Sequence, residues 1–169
     1  MLRYNAENDM VQIFFDGQWN DWRSGGFQTV NFLKYKETDW NFTVSAATKA
    51  YVVDSSGYIC FYATPTTSNA GGSVIATTDN YIDFTSKTKL SFNGEILLYT
   101  TAKAWLNIIS EEGETVASWY SPAPGSSAAG FSGIIDVSGI TGKCKVQIVL
   151  PCYGGYARTW FWFKNFTLE

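Results

Sequence analysis

Apolar and polar side chains alternate in the segment KCKVQIVLPC, where Cys144, Val146, Ile148, Leu150 and Cys152 fall on one face of an extended chain. Because side chains in a strand point alternately to opposite faces, this period of two predicts a β-strand with one buried face. Short runs rich in Val, Ile, Thr and aromatic residues recur between Gly, Asn, Asp and Ser, and no window of about eleven residues shows helical spacing. The pattern predicts about ten or more strands without a substantial helix, which is typical of an all-β sandwich or barrel.

Turn residues indicate where consecutive strands reverse direction. Asp16-Gly17 is expected to join the two strands of a hairpin, and the turns at 54–57 and 112–113 predict two more hairpins. Asn93-Gly94 interrupts a further β-rich run as either a hairpin turn or a bulge. The segments 64–72 and 121–133 are rich in small and turn-forming residues, and both are expected to be loops.

A domain boundary is expected near Gly25-Gly26. Residues 1–26 would form an N-terminal hairpin arm or linker, or the end of a preceding module, and residues 27–169 would form the sandwich. The start MLRYNAENDMVQIFF lacks the basic and apolar regions of a secretory signal, and no segment is apolar enough to span a membrane. We therefore expect export by another route, or a domain of a longer chain.

The composition favours a binding protein. Aromatic residues make up 17% of the 169 residues and charged residues only 16%, and Tyr and Trp offer large contact areas at low entropic cost. The net charge is -3 and the basic residues are scattered, so no basic stripe could neutralise nucleic-acid phosphates or an anionic membrane surface. We expect neither a nucleic acid nor a membrane as a partner.

The three cysteines are expected to be reduced and buried. Cys144 and Cys152 lie on one predicted strand, about 26 Å apart, whereas a disulfide requires Cα atoms within about 7 Å. Cys60 could pair with only one of them and would leave one thiol free. All three are interpreted as small core residues.

Most catalytic chemistry is excluded by the sequence. Histidine is absent, which removes Ser-His-Asp and Cys-His catalysis and every zinc site that uses histidine. The fifteen acidic residues leave a glycosidase pair open, but Asp83 and Asp136 are expected to cap strand ends through Asx hydrogen bonds. We expect no catalytic residue, no cofactor and no metal site, since no loop has the acid-rich spacing of a calcium site.

Aromatic residues near loops form the candidate ligand site. Sugars bind to flat aromatic rings with hydrogen-bonding side chains nearby. The residues predicted to bind ligand are Trp119, Tyr120, Tyr153, Tyr156 and Arg158. The alternative is that these residues cover the open ends of the sandwich. Trp19 and Trp22 follow the Asp16-Gly17 turn and are expected to dock the arm on the main domain or on another subunit.

The last strand carries four consecutive aromatic residues. Read as one regular strand, its two faces are Trp160, Trp162, Lys164, Phe166 and Leu168, and Phe161, Phe163, Asn165, Thr167 and Glu169. The face with Trp160 and Trp162 is predicted to be core. Phe161 and Phe163 are then an outer patch, expected at an interface with the arm or a second subunit, with ligand as the less favoured alternative. Lys164 interrupts the apolar face and points outward or marks a bulge.

The runs YIDFTSKTKLSFNGEILLYTT, AWLNIISEEGETVASW and IIDVSGITGKCKVQIVLPCYGG, followed by TWFWFKNFTLE, resemble the C-terminal domains of tail and minor structural proteins from prophages of gut Firmicutes. The shared features are an Ile-Asp-(Phe/Val)-(Thr/Ser) step, a Thr-Gly turn and a last strand ending in Leu-Glu, across residues 27–169. The resemblance implies a jelly-roll β-sandwich of two antiparallel sheets, of the carbohydrate-binding kind.

The same resemblance implies a non-enzymatic virion protein that binds a host surface polysaccharide or glycan. It also implies a homotrimer, other virion proteins as partners, and assembly in the bacterial cytoplasm, where free cysteines stay reduced. Three alternatives remain open. They are an extracellular carbohydrate-binding module of a bacterial polysaccharide-degrading protein, a glycoside hydrolase or lyase, and a purely structural oligomerisation domain.

Overall fold

The computed structural model of the protein is a jelly-roll β-sandwich of two antiparallel sheets. It describes residues 2–5, 10–15, 18–21, 29–66, 71–98, 102–122, 125–154 and 158–169. Within these ranges the only helices are two short 3₁₀ helices, Phe32–Lys34 and Glu37–Asp39. None of the helices in the described ranges is long and apolar enough to cross a membrane. The prediction of an all-β fold without a substantial helix is confirmed.

The described strands follow one another with short connections. In chain order they are β1 Leu2–Asn5, β2 Met10–Phe15, β3 Gln18–Asp21, β4 Val30–Asn31, β5 Trp40–Ser45, β6 Ala47–Val53, β7 Ile59–Pro65, β8 Gly71–Thr78, β9 Ile82–Asp83, β10 Lys89–Leu98, β11 Trp105–Ser110, β12 Thr115–Tyr120, β13 Gly125–Asp136, β14 Lys143–Tyr153 and β15 Thr159–Leu168.

Two sheets enclose the core. The β15 sheet has the order β13-β10-β15-β7-β6 with β4 paired to β15, and the β14 sheet has the order β12-β11-β14-β8-β5 with β9 paired to β14. Phe61, Phe163 and Phe166 from the first sheet and Ile108 and Ile148 from the second are almost completely buried. These inner faces form one hydrophobic core, and burial of its large side chains supplies most of the driving force for folding.

The first three strands form a separate antiparallel sheet, in the order β1-β2-β3. Phe15 lies opposite Gln18, which confirms the predicted hairpin, although its turn residues lie outside the described residues. No pairing between these strands and the sandwich occurs in the described part of the chain. The predicted boundary at Gly25-Gly26 also lies outside the described residues, so the division into 1–26 and 27–169 stays a prediction.

Local turn chemistry explains the other two predicted hairpins, which are confirmed. Between β6 and β7, one Asp54 carboxylate oxygen accepts hydrogen bonds from the backbone N–H groups of Ser56, at 2.8 Å, and Tyr58, at 2.9 Å. Gly57 in this turn has a φ of +77°, and Gly113 between β11 and β12 has a φ of +84°. Glycine adopts such positive φ values without steric cost.

The loop predicted at 121–133 is largely a strand. β13 pairs with β10 from Asp136 opposite Lys89 to Gly125 opposite Leu98. Its Gly-, Ser- and Ala-rich sequence has a low intrinsic preference for strands, so the pairing with β10 overrides the local sequence. The loop predicted at 64–72 is also shorter, because β7 ends at Pro65 and β8 begins at Gly71.

The prediction for the last strand is wrong about which face is core. Phe161 and Phe163 are fully buried between the sheets, with 0% of either residue exposed. Trp160 and Trp162 lie half-buried on the outer face of the β15 sheet. The two phenylalanines therefore form no outer patch and are not available for an interface.

A β-bulge causes this difference. Asn93 on β10 lies opposite Asn165, whereas the next residue, Gly94, lies opposite Phe163, so Lys164 is an extra residue in β15. One extra residue switches the face of every side chain beyond it. The apolar residues after the bulge therefore share the inner face with Phe163. The bulge predicted at Lys164 is confirmed, whereas Asn93-Gly94 lies opposite it and forms neither a hairpin turn nor a bulge of its own, because β10 continues regularly through it.

All three cysteines are free and buried, as predicted. Cys144 and Cys152 belong to the core between the sheets. Cys60 instead lies on the outer face of the β15 sheet, opposite Trp162. Burial raises the pKa of the Cys60 thiol to about 12 and also raises the pKa values of Cys144 and Cys152, so all three are protonated at neutral pH.

The bulge requires glycine at position 94. A Cβ atom there would overlap the backbone carbonyl of Trp162 and approach the Phe131 ring to 3.1 Å. We expect Gly94→Ala to lower the free energy of unfolding by at least about 2 kcal/mol, measured by urea denaturation. Gly139→Ala is the matched control, since nothing lies within 4 Å of its added Cβ. Equal stability of the two variants would contradict the bulge geometry.

Candidate functional site

Exposed aromatic side chains concentrate on one surface. Among the described residues, those with large exposed fractions are Tyr81 at 44%, Trp105 at 38%, Tyr120 at 51% and Tyr153 at 45%. On β14, the inner-face residues have even numbers and are buried, so Tyr153 points outward. Trp105 lies opposite Val149 on the same outer face, and Tyr120 lies opposite Trp105. Tyr81 precedes β9 and contacts Lys145 of this face.

An apolar row crosses the outer face of the β14 sheet. The Trp105 and Tyr120 rings are 5.4 Å apart between centroids, with an angle of 61° between their planes. The row continues through Val149, Ile75 and Thr43 on the next strands. Since neighbouring strands are about 4.8 Å apart, the row is about 19 Å wide. It provides a broad apolar surface at which an extended ligand can stack.

A polar row runs beside the apolar row, about 7 Å further along the strands. The Asn107 amide donates to the Gln147 side-chain oxygen at 3.1 Å, and the Gln147 amide donates to the Thr77 hydroxyl at 3.3 Å. Asn41 occupies the next strand in this row and donates to Asp79 at 2.6 Å. Primary amides have two donors and two acceptor positions, so the ordered amides retain hydrogen-bonding capacity for a ligand.

Two lysines lie at aromatic rings of this face. The Lys103 ammonium nitrogen is 3.7 Å from the centroid of the Tyr120 ring, and that of Lys145 is 4.7 Å from the centroid of the Tyr81 ring. The negative face of an aromatic ring attracts a cation at such distances. Each ammonium group is therefore held beside an exposed ring. We call the outer surface of the β14 sheet that contains both rows and both lysines the aromatic face.

The aromatic face contains two of the predicted ligand residues. Tyr120 belongs to the apolar row, and Tyr153 lies at one end of the face beside a groove of about 430 Å³ that Gly71, Ser73 and Pro151 also line. Their roles in binding stay predictions. Tyr156 lies outside the described residues. Of the predicted arm residues, Trp19 lies in β3 and Trp22 lies outside the described residues.

Trp119 and Arg158 lie elsewhere. Trp119 points inward, where its ring contacts Phe92 edge-on at 4.9 Å and stacks on Phe161 at 6.2 Å between centroids. The inward direction follows from its pairing with buried Leu106, and Trp119 packs against the core while only partly buried. Its predicted role in binding, like that of Arg158, stays a prediction. Arg158 lies 5.3 Å from the Tyr62 ring, which belongs to the β15 sheet on the opposite side of the sandwich.

The sequence contained a signal for Trp105 that the prediction missed. In AWLNIIS, Leu106 and Ile108 alternate with Trp105 and Asn107. Trp105 therefore shares a face with polar Asn107, whereas aliphatic Leu106 and Ile108 occupy the other face. Because the aliphatic face of a strand packs into the core, this pattern indicates that Trp105 faces outward. Tyr81 gives no comparable signal, because the strand that follows it has only two residues.

The tryptophans on the outer face of the β15 sheet are less exposed than Trp105. Trp160 and Trp162 contact each other edge-on, with centroids 6.1 Å apart, and both are half-buried. The bulged Lys164 forms an ion pair with Glu95 beside them. These rings cover the sheet surface and one another, so they expose less area to a ligand than Trp105 and Tyr120 do.

The carboxylates predicted to cap strand ends do so. One Asp83 oxygen accepts a hydrogen bond from the Thr85 backbone N–H at 2.9 Å, and one Asp136 oxygen accepts from the Ser138 N–H at 2.9 Å and hydroxyl at 2.7 Å. Hydrogen bonds from Thr85 and Ser138 lower the pKa values of the two carboxyl groups. Both are ionised at neutral pH and cannot act as general acids. The described residues contain no cluster of three or more His, Cys, Asp or Glu side chains that could hold a metal ion.

Comparison with known proteins identifies the fold. No protein-family model matches the sequence, and no curated protein matches it. A carbohydrate-binding module of promiscuous specificity, from the β-sandwich superfamily, aligns with a TM-score of 0.53 and 11% identity over 82% of this chain and 60% of its own. The enzymatically active domain of tailspike protein 4 of bacteriophage CBA120 aligns with a TM-score of 0.50 and 12% identity, over 78% of this chain and 20% of its own.

An agarase aligns with a TM-score of 0.50 and 11% identity, over 83% of this chain and 24% of its own. The chain therefore spans less than two thirds of each of these three proteins. The similarity shows a shared β-sandwich fold. The fold is the one found in carbohydrate-binding modules and in part of a phage tailspike.

Because Trp119 points inward and Trp105 points outward, we expect their replacement by alanine to lower the stability by different amounts. We expect Trp119→Ala to lower the free energy of unfolding by about 3 kcal/mol, because it leaves a cavity beside Phe92 and Phe161. Trp105→Ala should lower it by less than about 1 kcal/mol. Urea denaturation followed by circular dichroism measures both. A larger loss for Trp105→Ala would contradict the assignment of the two rings.

Proposed function

We propose that the protein is a non-enzymatic binding domain and that its aromatic face binds a glycan. One observation carries the proposal: among the residues whose exposure the structure describes, the exposed aromatic rings lie on this face, beside a row of amide and hydroxyl groups. Sugars present apolar C–H patches next to hydroxyl groups. The apolar row can stack on the C–H patches, and the polar row can form hydrogen bonds with the hydroxyl groups.

The shape of the aromatic face also favours binding over catalysis. The face is an open sheet surface, whereas a glycosidase holds two carboxyl groups on either side of one bond. Asp83 and Asp136 are engaged in strand caps, and hydrogen bonding keeps them ionised. The similarity in fold to a carbohydrate-binding module supports the same function.

The glycan hypothesis is tested on an array of bacterial cell-wall and capsular polysaccharides. We expect the wild-type protein to bind at least one of them, and Trp105→Ala and Tyr120→Ala to weaken binding by about tenfold or more, or about 1.4 kcal/mol. Both rings are exposed, so the variants should remain folded.

Trp160→Ala is the matched control, because it removes a tryptophan from the opposite outer face. Its affinity per folded molecule should equal that of the wild type. Circular dichroism establishes the folded fraction of each variant. Equal losses for Trp105→Ala and Trp160→Ala would exclude the aromatic face as the site, and a wild type that binds no glycan would exclude the function.

We further propose that the domain is displayed on a virion. The resemblance to prophage tail proteins, the fold shared with a tailspike domain and the three free cysteines support this location. We expect mass spectrometry to detect the chain in phage particles induced and purified from the bacterium that encodes it. Recovery from the culture medium without particles would instead favour a module of a secreted polysaccharide-degrading protein.

A further inference from the structure

The lysines that contact aromatic rings fall into two groups. In the described part of the chain, Lys49 lies over Phe42 and Lys164 over Trp162, and each also forms an ion pair, with Glu37 and Glu95 respectively. The second group comprises the two lysines of the aromatic face, Lys103 and Lys145. Among the described residues, neither of these forms an ion pair with a carboxylate.

Two acidic groups of the β14 sheet region, Asp79 and Asp83, have hydrogen-bond partners other than these lysines. Asp79 accepts a hydrogen bond from Asn41. Asp83 caps the backbone at Thr85 and lies opposite Lys143 on the neighbouring strand. A ring attracts an ammonium group without neutralising its charge. Both ammonium groups are therefore available to pair with an anionic group of a ligand, although the whole chain has a net charge of -3.

The two charges lie far apart on the same surface. Lys103 contacts the ring of Tyr120, which belongs to the row of Val149. Lys145 lies four residues from Val149 along β14, which corresponds to about 13 Å in an extended strand. One small anion cannot contact both ammonium groups. A chain of sugars with repeated anionic groups can do so while its rings stack on Trp105 and Tyr120 and its hydroxyl groups meet the polar row that lies between the two ammonium groups.

We propose that the ligand of the aromatic face is an anionic polysaccharide, with carboxylate or phosphate groups on more than one sugar unit. This inference rests on the proposed glycan-binding function. Trp105 and Tyr120 supply the stacking surface, and the ammonium groups of Lys103 and Lys145 pair with two separate anionic groups along the chain. The amide row binds hydroxyl groups of the same chain.

The inference is tested by titrating the protein with polymers that differ in charge. Polygalacturonate supplies carboxylates, phosphomannan supplies phosphates, and fully methyl-esterified polygalacturonate is the neutral counterpart. We expect one of the two anionic polymers to bind at least tenfold more tightly than the neutral polymer. Its affinity should fall as the salt concentration rises from about 50 to about 500 mM, because salt screens exposed charges.

Variants of the two lysines test whether the preference for an anionic polymer arises at the aromatic face. Lys103→Gln and Lys145→Gln should each weaken binding of the anionic polymer by about fivefold, as expected for one exposed ion pair. Each should weaken binding of a neutral glycan by a smaller factor than binding of the anionic polymer. Lys49→Gln is the charge-matched control, because Lys49 contacts a ring but is paired with Glu37, and it should bind as the wild type does.

The possible results separate this inference from the proposed function. If neither anionic polymer binds more tightly than the neutral one, or if both lysine variants bind like the wild type, the ligand is not selected by its charge. Binding to neutral glycans alone on the polysaccharide array would then overturn the inference and leave the proposed function standing. A protein that binds neither anionic nor neutral glycans would overturn both.

Discussion

The bulge at Lys164 determines how the whole sandwich is divided into inside and outside. β15 is the central strand of its sheet, so its register fixes which face of β10 and of β7 can pack against the β14 sheet. By adding one residue opposite the Asn93-Gly94 pair, the bulge brings the phenylalanines on both sides of it to the same face. The Phe163 and Phe166 rings stack with centroids 4.5 Å apart as a result. Without the bulge, one half of this strand would place polar side chains in the core.

The two outer faces consequently have different properties. On the β15 sheet, the tryptophans displaced from the core lie against each other and cover the sheet. On the β14 sheet, regular alternation along β14 places aliphatic residues inside and leaves the outer positions to aromatic, amide and lysine side chains. The rings there remain exposed. The difference between a covering surface and a candidate binding surface therefore arises from strand register rather than from the number of aromatic residues.

The features that the sequence predicted are those set by near neighbours in the chain. The strand pattern, the turns at Gly57 and Gly113, and the Asp83 and Asp136 caps each depend on a few consecutive residues. The face of β15 was not predictable in this way, because the bulge exists only in the pairing with β10. The aromatic face was also missed, since its residues come from separate segments that only the sheet order brings together.

The side-chain ladder from Asn107 through Gln147 to Thr77 affects the entropy of binding. A free amide side chain on a protein surface samples several rotamers, and fixing it on contact with a ligand costs about 0.5–1.5 kcal/mol. In this ladder the neighbouring strands already restrict those rotamers before any ligand arrives. A ligand that contacts the ladder therefore meets groups whose ordering was completed when the sheet folded, so even single hydrogen bonds can contribute to affinity.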